Sequence, residues 1–150
     1  MPTKLSTTLK KIVLVPNPEN AELISEFHKF MMSNGASERH QNNNLKAIIS
    51  FAKYLGPSVT FGNINSSQDI LSFLGTKMKT MEVDPDQKCI TTWTDYLRRI
   101  KHFLRWLHNK NDFPKLSNVA FLISISWPDR SVDFIFNSLF PIDCPLVCSK

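Results

Sequence analysis

Apolar residues recur along the first three-quarters of the chain at the three- and four-residue spacing of an amphipathic helix. Asn17 is a natural N-cap and Pro18 suits the first helical position, with Glu19 and Glu22 placed for the positive end of the dipole. Leu23, Ile24, Phe27, Phe30 and Met31 then form one stripe, and Gly35 stops it. Ser37 caps a second helix, Glu38 to Leu55, whose stripe is Leu45, Ile48, Ile49, Ala52 and Leu55 and whose end is Gly56-Pro57. So short a link predicts that these two helices are neighbours, antiparallel or steeply crossed.

An extended connector from Val59 to Asn65 follows, carrying Phe61 and Ile64. Ser66 or Ser67 caps a short third helix, about Gln68 to Met78, with Ile70, Leu71, Phe73 and Leu74 facing inward. The fourth helix is the longest, with Asp86 as its expected cap. Ile90, Trp93, Leu97, Ile100, Leu104 and Leu107 give it an unbroken apolar face that Phe103 widens. It ends near His108-Asn109-Lys110, and Phe113-Pro114 forbids continuation. Trp93, Phe103 and Trp106 read as core aromatics, and His28 and His108 as surface or boundary residues. The expected fold class is all-α.

Segment 114–150 breaks the pattern. It is nearly uncharged, and Pro128, Pro141 and Pro145 interrupt it. Phe121 to Trp127 alternates apolar residues with Ser as a strand would, and Phe134-Ile135-Phe136 forms another apolar cluster. The expectation is an irregular apolar tail.

Charge changes the picture. The chain has 150 residues and a formal net charge of +5. Residues 1–116 hold a net +6 and the remainder −1, so the basic character belongs to the helical part. On the second helix Arg39, Asn42, Asn43, Lys46, Ser50 and Lys53 lie opposite Ile48, with His40 and Gln41 beside them. On the fourth, Thr91, Thr94, Arg98, Lys101, His102 and Arg105 lie opposite Ile100, with Arg99 toward one edge and Asp95 off the stripe. Solvated helix faces ordinarily mix both signs, and these two carry cations without anions. Arg and Lys neutralise phosphates, and Asn, Ser and Thr add hydrogen bonds to phosphate or base edges. The residues expected to contact DNA are Ser37, Arg39, His40, Asn43, Lys46, Lys53, Thr91, Thr94, Arg98, Lys101 and Arg105. A solvated Lys-rich surface, or a docking face for an acidic protein, is the alternative.

Other chemistry finds no motif. There is no Gly-rich phosphate loop, no His-Glu-x-x-His and no Gly-x-Ser-x-Gly. The four His are scattered. Cys89, Cys144 and Cys148 suit neither a disulfide framework nor a zinc site. No cofactor, metal or small-molecule substrate is expected. No apolar run reaches membrane-spanning length, and Ile12-Val13-Leu14-Val15 is too short for a signal-peptide core, so the expected location is cytoplasmic, away from membranes.

Asn20, Phe27, Phe30, Gly35, Ser37, Phe51, Tyr54 and Leu55 together resemble the opening helices of the core-binding domain of tyrosine recombinases, the phage integrase family. The run Thr91 to Leu107 is the stronger match. Its Leu97, Arg99-Ile100-Lys101 and Phe103-Leu104-Arg105-Trp106-Leu107 are similar to that domain's last helix. The connector and short helix at Val59 to Met78 fit the same order. The resemblance covers about residues 18–113. It implies a four-helix, SAM-like orthogonal bundle whose second and fourth helices approach the major groove of double-stranded DNA. By this reading 1–17 is an N-terminal segment, 18–113 the core-binding domain, and 114–150 a tail produced by truncation or a shifted reading frame, or one that binds a partner.

The resemblance further implies a role in DNA integration and recombination, with a full-length recombinase as a candidate partner. It departs from the family where catalysis should begin. Beyond Phe113 there is one Arg, Arg130, with no His and no Tyr, and the two Tyr are Tyr54 and Tyr96. No His-x-x-Arg and no Tyr follow Phe113, where the family's catalytic domain would carry them, so no strand-cleaving enzyme is expected.

Overall fold

The computed structural model describes residues 3–64, 66–79 and 82–110. Among them the chain forms five α-helices and no strand: α1 Leu5–Lys10, α2 Pro18–Ser33, α3 Glu38–Leu55, α4 Ser67–Gly75 and α5 Lys88–Asn109. Segment 114–150, and with it the tail expected there, lies outside the described residues. No helix among those described is long and apolar enough to cross a membrane.

Local chemistry accounts for the helix ends. Asn17 Oδ1 accepts from the Asn20 amide at 3.2 Å, and Pro18 occupies the first helical position. At the other end of α2, Gly35 adopts φ +70°. The Ala36 amide reaches back to the Met31 carbonyl and the Gly35 amide to that of Met32, both at 3.0 Å. These two bonds satisfy carbonyls that the helix end would leave orphaned. Ser37 Oγ then accepts from the His40 amide at 3.3 Å, so one helix ends and the next begins across four residues, Asn34 to Ser37. The packing of α2 against α3 follows, as the short link predicts.

The core is built on rings. Phe27, Phe51, Phe61, Phe73 and Phe103 are fully buried. Phe27 meets Phe103 at 5.2 Å, Phe103 meets Phe61 at 4.7 Å, Phe61 meets Phe51 at 6.0 Å and Phe51 meets Phe73 at 5.1 Å. This chain of rings ties α2, α5, the α3–α4 connector, α3 and α4 into one core. Each buried Phe contributes about 1.5–3 kcal/mol relative to an exposed one. Trp93 is buried, and Trp106 packs half-buried on the same cluster.

Several sequence expectations change. The connector is not simply extended, since Phe61–Asn63 makes a 3-10 turn. Buried Asn20 holds it there, its Oδ1 accepting from the Phe61 amide at 2.8 Å and its Nδ2 donating to the Val59 carbonyl at 2.9 Å. Helix α4 ends at Gly75, short of Met78, and Leu71 is only half-buried. Asp86 does not cap α5. Asp84 Oδ2 accepts from the Cys89 amide at 2.6 Å, which holds the Asp84 carboxyl below its usual value, and Asp86 pairs with Lys88 at 2.9 Å.

The N-terminal segment departs most. It folds as α1 and packs along α3. Buried Thr8 donates from Oγ1 to Asn42 Oδ1 at 2.6 Å, and Asn42 Nδ2 donates to the Thr3 carbonyl. Asn42 is thereby removed from the exposed face assigned to it. Asn44 is also buried, its Nδ2 donating to the His40 carbonyl at 2.8 Å.

Candidate nucleic-acid interface

Helix α3 lies between α1 on one flank and α5 on the other. Grooves run along the outer surface of these three helices. The first, about 630 Å³, runs between α1 and α3 and is lined by Lys4, Glu38, Arg39, Asn42, Asn43 and Lys46, together with Thr3 and Leu5. The second, about 270 Å³, lies between α3 and α5 beside Asn43, Lys46, Thr92, Asp95, Tyr96 and Arg99. A third, about 220 Å³, is bordered by Thr8, Lys11, Lys46, Ile49, Ser50 and Lys53. Lys46 borders all three. Glu38 and Asp95 are the anions among these lining residues, against Lys4, Lys11, Arg39, Lys46, Lys53 and Arg99.

The expected contact residues divide accordingly. Arg39 and Lys53 are exposed, and Asn43 and Lys46 are half-buried along the ridge of α3. Across the α3–α5 seam the rings of His40 and His102 stand 5.9 Å apart, and the His102 ring meets the edge of Phe27 at 5.3 Å. Burial lowers the His102 pKa, with the nearby His40 and Arg105 acting in the same direction. Burial, then Arg105, likewise lowers that of Lys101, so the two α5 cations and this imidazole share one neighbourhood. Ser37 is exposed, but its oxygen is engaged as the cap of α3.

Four of the α5 residues sit less well. Exposed Arg98 reaches Asp95 at 3.6 Å, so this face is not free of anions as the stripe alone suggested. Both partners are solvated, and such a pair is worth about 1 kcal/mol or less, which a phosphate can displace. Thr94 Oγ1 donates back to the Ile90 carbonyl of its own helix at 3.0 Å. Helical phase puts Thr94 and Lys101 on the flank of α5 away from that holding Thr92 and Arg99. Thr91 is exposed and borders none of the three grooves.

Sequence reasoning passed over Lys4, Lys11, Thr92, Tyr96 and Arg99. Leu5, Leu9 and Ile12 carry the four-then-three spacing that would have revealed α1. Arg99 required knowing on which side of α5 the neighbouring helix lies. Among the described residues no three His, Cys, Asp or Glu side chains gather as a metal site.

No family model matches this chain, and no curated protein or solved structure matches it.

Proposed function

We propose that this protein binds double-stranded DNA through the outer surface of α3 and its flanking helices, as an integrase-like core-binding domain without strand-cleaving activity of its own. The observation that carries the reading is the convergence of cations from separate helices on grooves that share Lys46, with Glu38 and Asp95 as the anions lining them. A duplex is a rod of negative charge, and neutralising its phosphates releases condensed counterions, which drives association. Asn43, Ser50 and Thr92 add hydrogen-bonding groups that can position phosphates or meet base edges. An α-helix fits the major groove, and the exposed ridge of α3 is the natural entrant.

The absence of cleavage is part of the proposal. Tyr96 is half-buried with the Lys77 ammonium 5.0 Å from its ring centre, and Tyr54 packs on Phe73 at 5.4 Å. Both rings pack on Phe73 within the bundle. A role beside a full-length recombinase at recombination sites extends the same reading.

The test is the salt dependence of binding to a labelled random-sequence duplex, followed by fluorescence anisotropy. Replacing Lys46 and Arg105 together by Ala should flatten the slope of log K against log salt by about two units. An unchanged slope would remove these residues from the interface. Preference for an acidic polypeptide over duplex in competition would favour a protein-docking role instead.

A further inference from the structure

Of the two helices that flank α3, α1 is the one that the recombinase resemblance does not supply, and it occupies the side of α3 opposite α5. Its attachment is specific, because buried Thr8 and the Thr3 carbonyl both bond Asn42. That attachment fixes where its cations stand. Lys4, at the head of α1, lines one groove with Arg39, Asn43 and Lys46. Lys11, at its foot, lines the next with Lys46, Ser50 and Lys53. Lys4 and Lys11 are both exposed.

We propose that α1 and α3 together form a phosphate track, a binding site for one strand of a nucleic-acid backbone separate from the α3–α5 seam. Lys4 and Lys11 lie seven residues apart, as do Arg39 and Lys46, and Lys46 and Lys53. Seven residues of helix span about 10 Å, with side chains returning to nearly the same face. Arg39, Lys46 and Lys53 therefore form a row along α3 at that interval, and Lys4 and Lys11, the caps at the two ends of α1, flank it in the same direction with a shallow channel between. Asn43 and Ser50 line that channel with hydrogen-bonding side chains, Ser50 Oγ also accepting from Lys77 Nζ at 3.2 Å, and Glu38 is the anion among its lining residues. Such a surface suits a linear polyanion with regularly spaced charges better than it suits a compact ligand. The α3 ridge then separates two sets of cations, one facing each wall of a major groove.

This inference rests on the duplex-binding reading, and one experiment separates the two. Anisotropy of a labelled duplex is measured against salt for the parent protein, for K4A/K11A, for K4R/K11R and for the charge-matched control K29A/K79A. The controls sit on α2 and beyond α4, away from the track, and are exposed. The track predicts that K4A/K11A lowers the salt slope by about two units while K4R/K11R and K29A/K79A retain the parent slope. Helical circular dichroism equal to the parent's confirms that each variant is folded. Duplex binding with an unchanged slope in K4A/K11A overturns the α1 track and leaves the α3–α5 reading standing. Equal losses in K4A/K11A and K29A/K79A also overturn the track, since net charge alone would then explain them. A parent protein that does not bind duplex overturns both.

Discussion

His102 shows how one side chain connects the core to the outer surface. Its ring meets Phe27 and lies near His40 from α3 and Arg105 from its own helix. Burial and these two basic neighbours all disfavour the imidazolium, so the folded-state pKa lies below the ordinary 6.5. The unfolded chain therefore takes up the proton first as pH falls. The stability His102 contributes is complete above 6.5 and is lost as pH drops through the depressed folded-state value. Urea midpoints should accordingly decline from neutral pH to about pH 5, with a shallower decline in His102→Gln. A midpoint that rises on acidification, or equal declines in both proteins, would contradict this placement of the ring.

At the scale of elements, α1 shows what tertiary packing adds to a weak local signal. Six residues are too few for a helix to be stable alone in water. Leu5 and Leu9 pack against the core, and Thr8 supplies a buried hydroxyl to Asn42. Thr8→Val keeps the shape and removes that donor, which should cost about 1 kcal/mol. The loss should be local, with faster amide hydrogen exchange in α1 and unchanged protection in α2 and α5. Uniform loss across the bundle would instead make α1 part of the cooperative core. The longer helices were legible because each carries both a stripe and a stop signal: Asn17 and Gly35 bound α2, and Ser37 and Gly56 bound α3. What stayed hidden depends on contacts distant in sequence. Asn42 carries no mark that a threonine 34 residues earlier will bury it, and Asp86 looks as good a cap as Asp84. Periodicity identifies the side of a helix that faces inward, but not which neighbour flanks its outer side, so Arg99 was set aside and Thr94 and Lys101 were included.

At the largest scale, charge is unevenly spread over the described residues. Helix α2 carries Glu19, Glu22 and Glu26, with Lys110 bound to Glu26, and the segment before α5 carries Glu82, Asp84 and Asp86. Lys4, Lys11, Arg39, Lys46, Lys53 and Arg99 gather on the grooves about α3, a basic surface for a polyanion. That surface makes a statement about position which affinity alone does not test. Lysine acetylation footprinting, read by mass spectrometry with and without saturating duplex, tests it directly. The account predicts protection of Lys4, Lys11, Lys46 and Lys53, with Lys29, Lys79 and Lys88 modified equally in both samples. Protection of Lys29, Lys79 and Lys88, with Lys46 as reactive as in the free protein, would contradict it.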